Sequence, residues 1–158
     1  MRAAGLIMGI GLLLAGCADH VVHSSDVPVP NGAWERSFTP TFEFDITDTV
    51  NTHNLFIDIR HTGDYPFSDL YLFVDVHGPG GRHLRDTVEC LLADPTGRWY
   101  GKGTGFIFAN RAVDAKVLYK TGNRFPAVGH YVIRLEQAMR TERLEGVMDV
   151  GVSLERMP

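Results

Sequence analysis

The sequence predicts an all-β fold, a single antiparallel β-sandwich of the Ig-like or jelly-roll-like kind. Short stretches of alternating apolar and polar residues recur along the chain, and turn signals rich in glycine and proline separate them. No long stretch carries the 3.6-residue period of an amphipathic helix. Short strands at this spacing are typical of sandwiches, in which two sheets cover one core.

Several segments have the alternation expected of a strand with one buried face. In the clearest of them Leu55, Ile57 and Ile59 fall on one side. In the last predicted strand, Met148–Glu155, we expect Met148 and every second residue after it to face inwards. In the one helix-like stretch, Glu136–Leu144, a single turn is predicted at Gln137–Arg140. The predicted strands are Thr41–Ile46, Asn54–Arg60, Leu70–His77, Arg85–Ala93, Val113–Tyr119, His130–Glu136 and Met148–Glu155.

The N-terminus has the features of a bacterial lipoprotein signal. Arg2 precedes an apolar run that begins at Ala3 and closes with Gly16 and Cys17. A basic start, a short apolar core and a small-residue cleavage site form a secretory signal, and this run is shorter than the roughly 20 residues that span a bilayer. We expect cleavage between Gly16 and Cys17 and attachment of acyl chains such as palmitate to Cys17. The alternative is an ordinary secretory signal with a chance cysteine at its end.

These features divide the chain into three parts. Residues 1–16 are the signal peptide, residues 17–33 are the lipidated Cys17 with a flexible tether, and residues 34–158 are the β-sandwich domain. The tether is predicted because the spacer has no apolar period and contains Pro28 and Pro30. Fully extended, it would reach roughly 50 Å. Acyl chains attach the protein to a membrane, since each buried methylene contributes about 0.8 kcal/mol.

Composition and charge argue against several classes of partner. The chain carries 15 basic and 19 acidic side chains, a formal net charge of −4. A mildly acidic protein lacks the basic surface that binds nucleic acid, and it is not attracted to anionic lipid. Membrane attachment is therefore expected through acyl chains alone. Once Cys17 is acylated, Cys90 has no partner for an intrachain disulfide. Its place on one strand face with Val88 and Leu92 predicts a buried thiol.

No motif for catalysis, a metal or a cofactor stands out. The segment Gly101–Gly105 contains a lysine between glycines, but it lacks the P-loop pattern of a phosphate-binding site. We therefore predict a glycine-rich hairpin there. Asp45, Asp48 and Asn54 do not match a calcium loop, and turn chemistry is expected for them. We therefore predict no enzyme activity, no cofactor and no metal. The histidines of the predicted sheets lie apart in the sequence, without the spacing of zinc ligands: His53, His61, His77, His83 and His130.

The aromatic residues leave two interpretations open. Three bulky residues fall on nominally outer strand faces: Phe56, Tyr71 and Phe73. Either a second layer covers them or they form an exposed patch for docking.

Trp34, Trp99 and Tyr100 are candidate contacts for a protein partner or a sugar, and core or hairpin packing is the alternative for them.

A series of short blocks occurs in the order that is found in one protein family. The blocks are Phe42–Thr49, Asn54–Arg60, Tyr65–Phe73, Asp86–Asp94, Gly97–Gly103, Phe125–Pro126, Gly129–Tyr131, Glu136–Arg140 and Leu144–Gly151. Together with the lipoprotein signal, they resemble the GldH family of gliding-motility lipoproteins of the Bacteroidota. The resemblance covers nearly the whole chain after the signal.

The resemblance implies an outer-membrane lipoprotein that is a non-enzymatic accessory or assembly component of the gliding-motility and type IX secretion apparatus. It implies protein partners in that machinery and brings no catalytic residues. The residues after Cys17 leave both a periplasmic and a cell-surface face open. The alternative function is a surface carbohydrate-binding lipoprotein, which depends on Trp34, Trp99 and Tyr100.

Overall fold

The computed structural model describes residues 20–104 and 112–158, and these residues form an all-β, antiparallel structure as predicted. Among them no helix is long and apolar enough to cross a membrane. The predicted signal peptide, residues 1–16, and Cys17 lie outside the described residues.

Within residues 20–104 and 112–158, each predicted strand is present, with small changes at its ends, and four further strands join them. The predicted ones are β3 (Thr41–Ile46), β4 (His53–Thr62), β5 (Asp69–Gly78), β6 (Arg82–Leu91), β8 (Ala112–Asn123), β9 (Gly129–Gln137) and β11 (Val147–Arg156). The further ones are β1 (Val21–Pro28), β2 (Ala33–Glu35), β7 (Lys102–Thr104) and β10 (Arg143–Glu145). Short 3₁₀ turns occupy Pro30–Gly32 and Pro79–Gly81.

Two sheets enclose one core. One has the strand order β1-β11-β4-β8-β7 and the other the order β3-β9-β5-β6, while β2 and β10 form a separate pair. Apart from the short β2, β7 and β10, the strands alternate between the two sheets along the chain, except that β5 and β6 are neighbours in one sheet. This order is the jelly-roll form of the sandwich. The predicted antiparallel β-sandwich is therefore confirmed, and of the two kinds that the sequence left open the strand order is that of the jelly-roll.

The core is built from the alternating apolar residues of both sheets. Leu55, Ile57 and Ile59 of β4 are buried, as predicted, and so are Leu72 and Leu135 from the facing sheet. Burying one such side chain contributes about 1.5–3 kcal/mol.

A β-bulge changes the predicted alternation at the start of β11. The register of the pairing with β4 shifts between Val147 and Asp149. The additional residue in β11 reverses which alternate residues face the core on the two sides of the bulge. Val147 is buried and Met148 is only half-buried. The prediction that Met148 faces inwards is therefore wrong, whereas Val150 and Val152 are buried as predicted.

The flexible tether predicted for residues 17–33 is wrong for the described part of that segment. Val21–Pro28 forms β1 at the sheet edge and pairs antiparallel with β11. Its half-buried face consists of His23, Ser25 and Val27, so polar residues conceal the alternation in the sequence. The His23 ring nevertheless lies 5.2 Å from the ring of Phe44. The folded domain thus includes β1 and does not begin at residue 34.

The helical turn predicted within Glu136–Leu144 is also wrong. β9 continues to Gln137, and β10 begins at Arg143 after a bend. The buried Gln137 side chain closes this bend: its Nε2 donates to the carbonyl of Thr141 (2.9 Å), and its Oε1 accepts from the amide of Met139 (2.9 Å). The side-chain amide supplies the hydrogen bonds that a helical turn would otherwise make internally.

The strand registers define two ends of the sandwich. Val21 pairs with Glu155, and His53 pairs with Arg156, so β1 and β4 both start at the same end. In the facing sheet, Ile46 pairs with Gly129 at that end too. We call it the N-terminal end, and it comprises residues 20–22, 47–52, 79–81 and 124–129. The opposite, or distal, end comprises residues 63–68, 92–101 and 138–146.

Candidate functional site

The structure does not assemble the aromatic contact set that the sequence predicted. Trp34 has 0% of its surface exposed, and its Nε1 donates to the carbonyl of Phe38 (2.8 Å), so its prediction as a surface contact is wrong. Trp99 is half-buried, with its ring 4.6 Å from that of His61. Tyr100 is 61% exposed. A flat row of aromatic rings is therefore absent from these three positions.

Two of the three outer-face aromatics, Phe56 and Phe73, are covered by cationic side chains and not by a second layer of structure. The Nζ of Lys116 lies 4.6 Å from the ring centroid of Phe56, and the guanidinium of Arg85 lies 4.5 Å from that of Phe73. Long cationic side chains pack their stems and charges on such rings. Tyr71 remains exposed at the distal part of β5. The covering layer is thus made of single side chains.

The outer face of β5 carries a buried carboxylate, Asp75, which is only 2% exposed. Arg85 on β6 and Arg134 on β9 both contact its Oδ2, the latter at 3.4 Å. The Nε2 of His83 lies 3.0 Å from the other oxygen, Oδ1. Burial by itself would raise the pKa of Asp75, but the hydrogen bond with His83 and the charges of the two arginines hold that pKa below its usual value. The carboxylate is therefore ionised at neutral pH and fixed from both sides.

His77 completes a cluster with Asp75 and His83. It is paired with His83 across the β5–β6 hairpin, and the two imidazole rings stack with centroids 4.4 Å apart and planes 10° from parallel. One donor atom from each of the three residues lies within 4.8 Å of the others. These are the residues of the described chain that could hold a metal ion. The prediction that the histidines are dispersed is wrong for this pair.

A signal for this cluster exists in the sequence around the β5–β6 turn. His77 and His83 flank the turn at Pro79–Gly81 symmetrically, and so do Asp75 and Arg85. A glycine-rich turn between two alternating segments predicts a hairpin. Residues at equal distances from the turn then face each other.

Two grooves lie on other surfaces. A groove of about 400 Å³ crosses the outer face of the larger sheet, and the aspartates around Arg60 line it: Asp26, Asp58, Asp114 and Asp149. Arg60 Nε lies 3.5 Å from Asp114 and its Nη1 lies 3.7 Å from Asp149, so ion pairs occupy part of the groove. A second groove of about 260 Å³ at the distal end includes Phe67, Tyr71 and Met139.

Cys90 has no role in these sites. It is fully buried beside Leu92, as predicted, and burial raises the pKa of its thiol to about 12. A neutral, buried thiol is a poor nucleophile and a poor metal ligand. The prediction of a core thiol is confirmed.

The remaining candidate motifs have structural roles. Asp48 accepts hydrogen bonds from the amides of Val50 and Asn51, which is the turn chemistry expected from the sequence. Asn54 accepts a hydrogen bond from the amide of Gly122 at the end of β8. Lys102–Thr104 forms β7 and pairs with β8, whereas Gly105 lies outside the described residues.

Comparison with known proteins identifies the family. The family model described as GldH lipoprotein matches residues 21–154. The chain belongs to the GldH lipoprotein family. The match runs from the first residue of β1 to Leu154 in β11, so the GldH unit is the whole sandwich, including the strand that the sequence assigned to a tether.

Two curated relatives show the same family over most of their length. The chain is 30% identical over 163 aligned positions to "Gliding motility lipoprotein GldH" of Flavobacterium johnsoniae, covering 99% of this chain and 98% of the relative. It is 33% identical over 130 positions to "Gliding motility lipoprotein GldH homolog" of Christiangramia forsetii, covering 78% of this chain and 77% of the relative.

Likeness to solved structures is much weaker. A family GH115 4-O-methyl-alpha-glucuronidase, BtGH115A, matches with a TM-score of 0.37 and 16% identity, over 100% of this chain and 20% of that one. A structure of infectious bursal disease virus, Gx strain, matches with a TM-score of 0.32 and 11% identity, over 85% of this chain and 29% of that one. Neither likeness bears on function.

Proposed function

We propose that the protein is an outer-membrane lipoprotein and a non-enzymatic accessory or assembly component of the gliding-motility and type IX secretion apparatus. The observation that carries this proposal is membership of the GldH family across the whole sandwich, with a relative named gliding motility lipoprotein that aligns almost end to end. The lipoprotein signal ending at Cys17 supports attachment to a membrane.

The position of β1 supports a close attachment. Cys17 precedes the first described residue, His20, by three residues, and three residues reach at most about 11 Å. Acyl chains on Cys17 therefore hold the N-terminal end of the sandwich within about that distance of the lipid, not at the end of a long tether. The central strands, such as the 10-residue β4, then extend roughly 33 Å away from the anchored end.

The distal end has the surface best suited to a protein partner. Phe67 and Tyr71 are each 37% exposed there, and they border the groove that also contains Met139. Aromatic residues and methionine are enriched in the buried centres of protein interfaces. We assign the contact with a secretion or motility component to this groove, because it faces away from the anchored end.

A clean deletion of the gene tests the proposal. We expect reduced export of type IX cargo proteins, and loss of gliding if the organism glides. The wild-type gene should restore export, while the Cys17→Ser variant should not. Normal cargo export in the deletion strain would contradict the proposal.

A variant of the groove tests where the partner binds. Phe67→Ser with Tyr71→Ser should reduce export and co-purification of secretion components. Leu118→Ser is a matched control, because Leu118 is an exposed apolar residue on the other sheet. Equal effects of the two variants would contradict the assignment to the distal end.

The carbohydrate-binding alternative has less support. Trp34 is buried and Trp99 packs against His61, so only Tyr100 of the three predicted residues presents most of its surface. A glycan array probed with the protein tests this alternative, and a specific binder that Tyr100→Ala abolishes would favour it.

A further inference from the structure

Asp75, His77 and His83 form a cluster that the proposed function does not use. A buried carboxylate and two imidazoles converge on the outer face of the β5–β6 hairpin, next to its turn. We propose that these three residues bind a divalent transition metal ion of the Zn²⁺ class.

The hairpin register brings the two imidazole ligands together. His77 and His83 are directly opposed, so their Cβ atoms are expected about 5 Å apart on one face of the sheet. Tetrahedral Zn²⁺ at about 2.0–2.1 Å from each nitrogen requires nitrogens roughly 3.3 Å apart. The donor atoms of the cluster already lie within 4.8 Å of one another. Rotation about χ2, which is a soft torsion in histidine, brings the stacked rings into ligating positions.

Asp75 supplies the third ligand in a fixed orientation. Arg85 and Arg134 hold Oδ2, which leaves Oδ1 directed towards His83. Hydrogen bonds to the second oxygen of a ligating carboxylate orient that ligand. Arg85 also pairs with Glu136 (3.2 Å). The positive charges of Arg85 and Arg134 are therefore balanced by the negative charges of Asp75 and Glu136, so the two arginines do not give the site a net positive charge.

The donor set selects the kind of ion. Two imidazoles with one carboxylate suit Zn²⁺, Cu²⁺ or Ni²⁺, whereas Ca²⁺ and Mg²⁺ take oxygen ligands. His77 and His83 are exposed at the surface. The remaining coordination positions would thus be open to water or to a donor atom from a partner protein.

Calorimetric titration of the full-length, untagged protein in detergent with Zn²⁺ tests the site. We expect saturable binding of one ion per chain. His77→Asn and His83→Asn should each weaken Zn²⁺ binding by about tenfold or more, since even residues that only support ligands change affinity by about 10–100-fold.

His130→Asn is the matched control. His130 is also exposed and lies 3.1 Å from Asp45 and 3.4 Å from Glu43, yet it is outside the cluster. Its substitution should leave Zn²⁺ binding unchanged. Thermal unfolding of each variant establishes that the fold is retained. We expect little change for His77→Asn and a small decrease in Tm for His83→Asn, which loses the hydrogen bond with Asp75.

Co²⁺ gives a second readout through its visible absorption bands, whose intensity reports the coordination geometry. The bands of the wild-type protein should be lost in His83→Asn and retained in His130→Asn. Absence of saturable Zn²⁺ binding by the wild-type protein would overturn the proposal. So would unchanged binding by the variant that carries both His77→Asn and His83→Asn.

Discussion

At the scale of single residues, the outer face of β5 is organised around Asp75. Each of its carboxylate oxygens has a partner from a flanking strand: Arg85 and Arg134 at Oδ2, and His83 at Oδ1. Hydrogen bonds to a charged group contribute about 1.5–3 kcal/mol each in favourable cases, but these partners are about half-exposed, so water screens them. We expect the network to stabilise the sheet by a part of that amount.

Replacement of Asp75 tests this network. Asp75→Asn should lower the free energy of unfolding by about 2 kcal/mol, because the arginines lose a buried partner. Asp45→Asn is the control: the Asp45 side chain is 75% exposed and pairs with His130, and such surface pairs contribute about 0–1 kcal/mol. Urea unfolding measures both. Equal losses from the two substitutions would contradict the role of burial.

The same carboxylate predicts a pH dependence of stability. Because the pKa of Asp75 is lower in the folded chain than in the unfolded one, its contribution is complete above the unfolded pKa of about 3.9. It is lost as the pH falls through the folded pKa. The difference in unfolding free energy between the wild type and Asp75→Asn should therefore shrink as the pH falls below about 4. A difference that persists unchanged in strong acid would argue against an ionised Asp75.

Cys90 yields a prediction of chemical inertness. Burial raises the pKa of its thiol to about 12, so roughly one thiol in ten thousand is ionised at pH 8. In the Cys17→Ser variant, which leaves Cys90 as the only thiol, a thiol reagent should react at an appreciable rate only in denaturant. Labelling of the native protein at the rate of a free thiol would show that Cys90 is accessible.

At the scale of elements, the predicted strands are those whose apolar residues alternate with polar ones, as in β4. β1 was not predicted from the sequence because its inner face includes the polar residues His23 and Ser25. The strands β2, β7 and β10 were not predicted because each is only 3 residues long. The Asp75 cluster was not predicted because His83 joins Asp75 and His77 only through the register of the β5–β6 hairpin, which has to be inferred from the turn between the two strands. Cys90 was predicted correctly because its own strand neighbours are apolar.

The attachment of β1 depends on a close approach to β11 at Gly151. A Cβ atom at this position would lie 2.5 Å from the carbonyl oxygen of Ser25 and 2.8 Å from the Cβ of Asp26. Both contacts involve atoms that a side-chain rotation cannot move away. Glycine therefore allows the edge strand to pack at its normal distance.

Substitution at this point should loosen β1 selectively. We expect Gly151→Ala to lower the free energy of unfolding by about 1–3 kcal/mol, the usual cost of overpacking, and to accelerate amide hydrogen exchange in β1 more than in β4. Ser24→Ala is the control, since Ser24 is exposed on β1. Unchanged exchange in β1 of the Gly151→Ala protein would show that the approach is not tight.

At the scale of the whole molecule, a jelly-roll begins within a few residues of the predicted lipid anchor. Because β1 belongs to the sandwich, acyl chains on Cys17 would hold the N-terminal end of the domain near the lipid, with the distal groove of Phe67 and Tyr71 turned away from it. This arrangement is the physical basis of the proposed function, and it requires that Cys17 carries acyl chains.

Intact-mass analysis of the protein extracted from isolated membranes tests that requirement most directly. We expect a chain that starts at Cys17 and carries the added mass of a diacylglyceryl group on sulfur and a fatty acyl group on the new amine. A protein that is recovered in the soluble periplasmic fraction with an unmodified Cys17 would contradict the account.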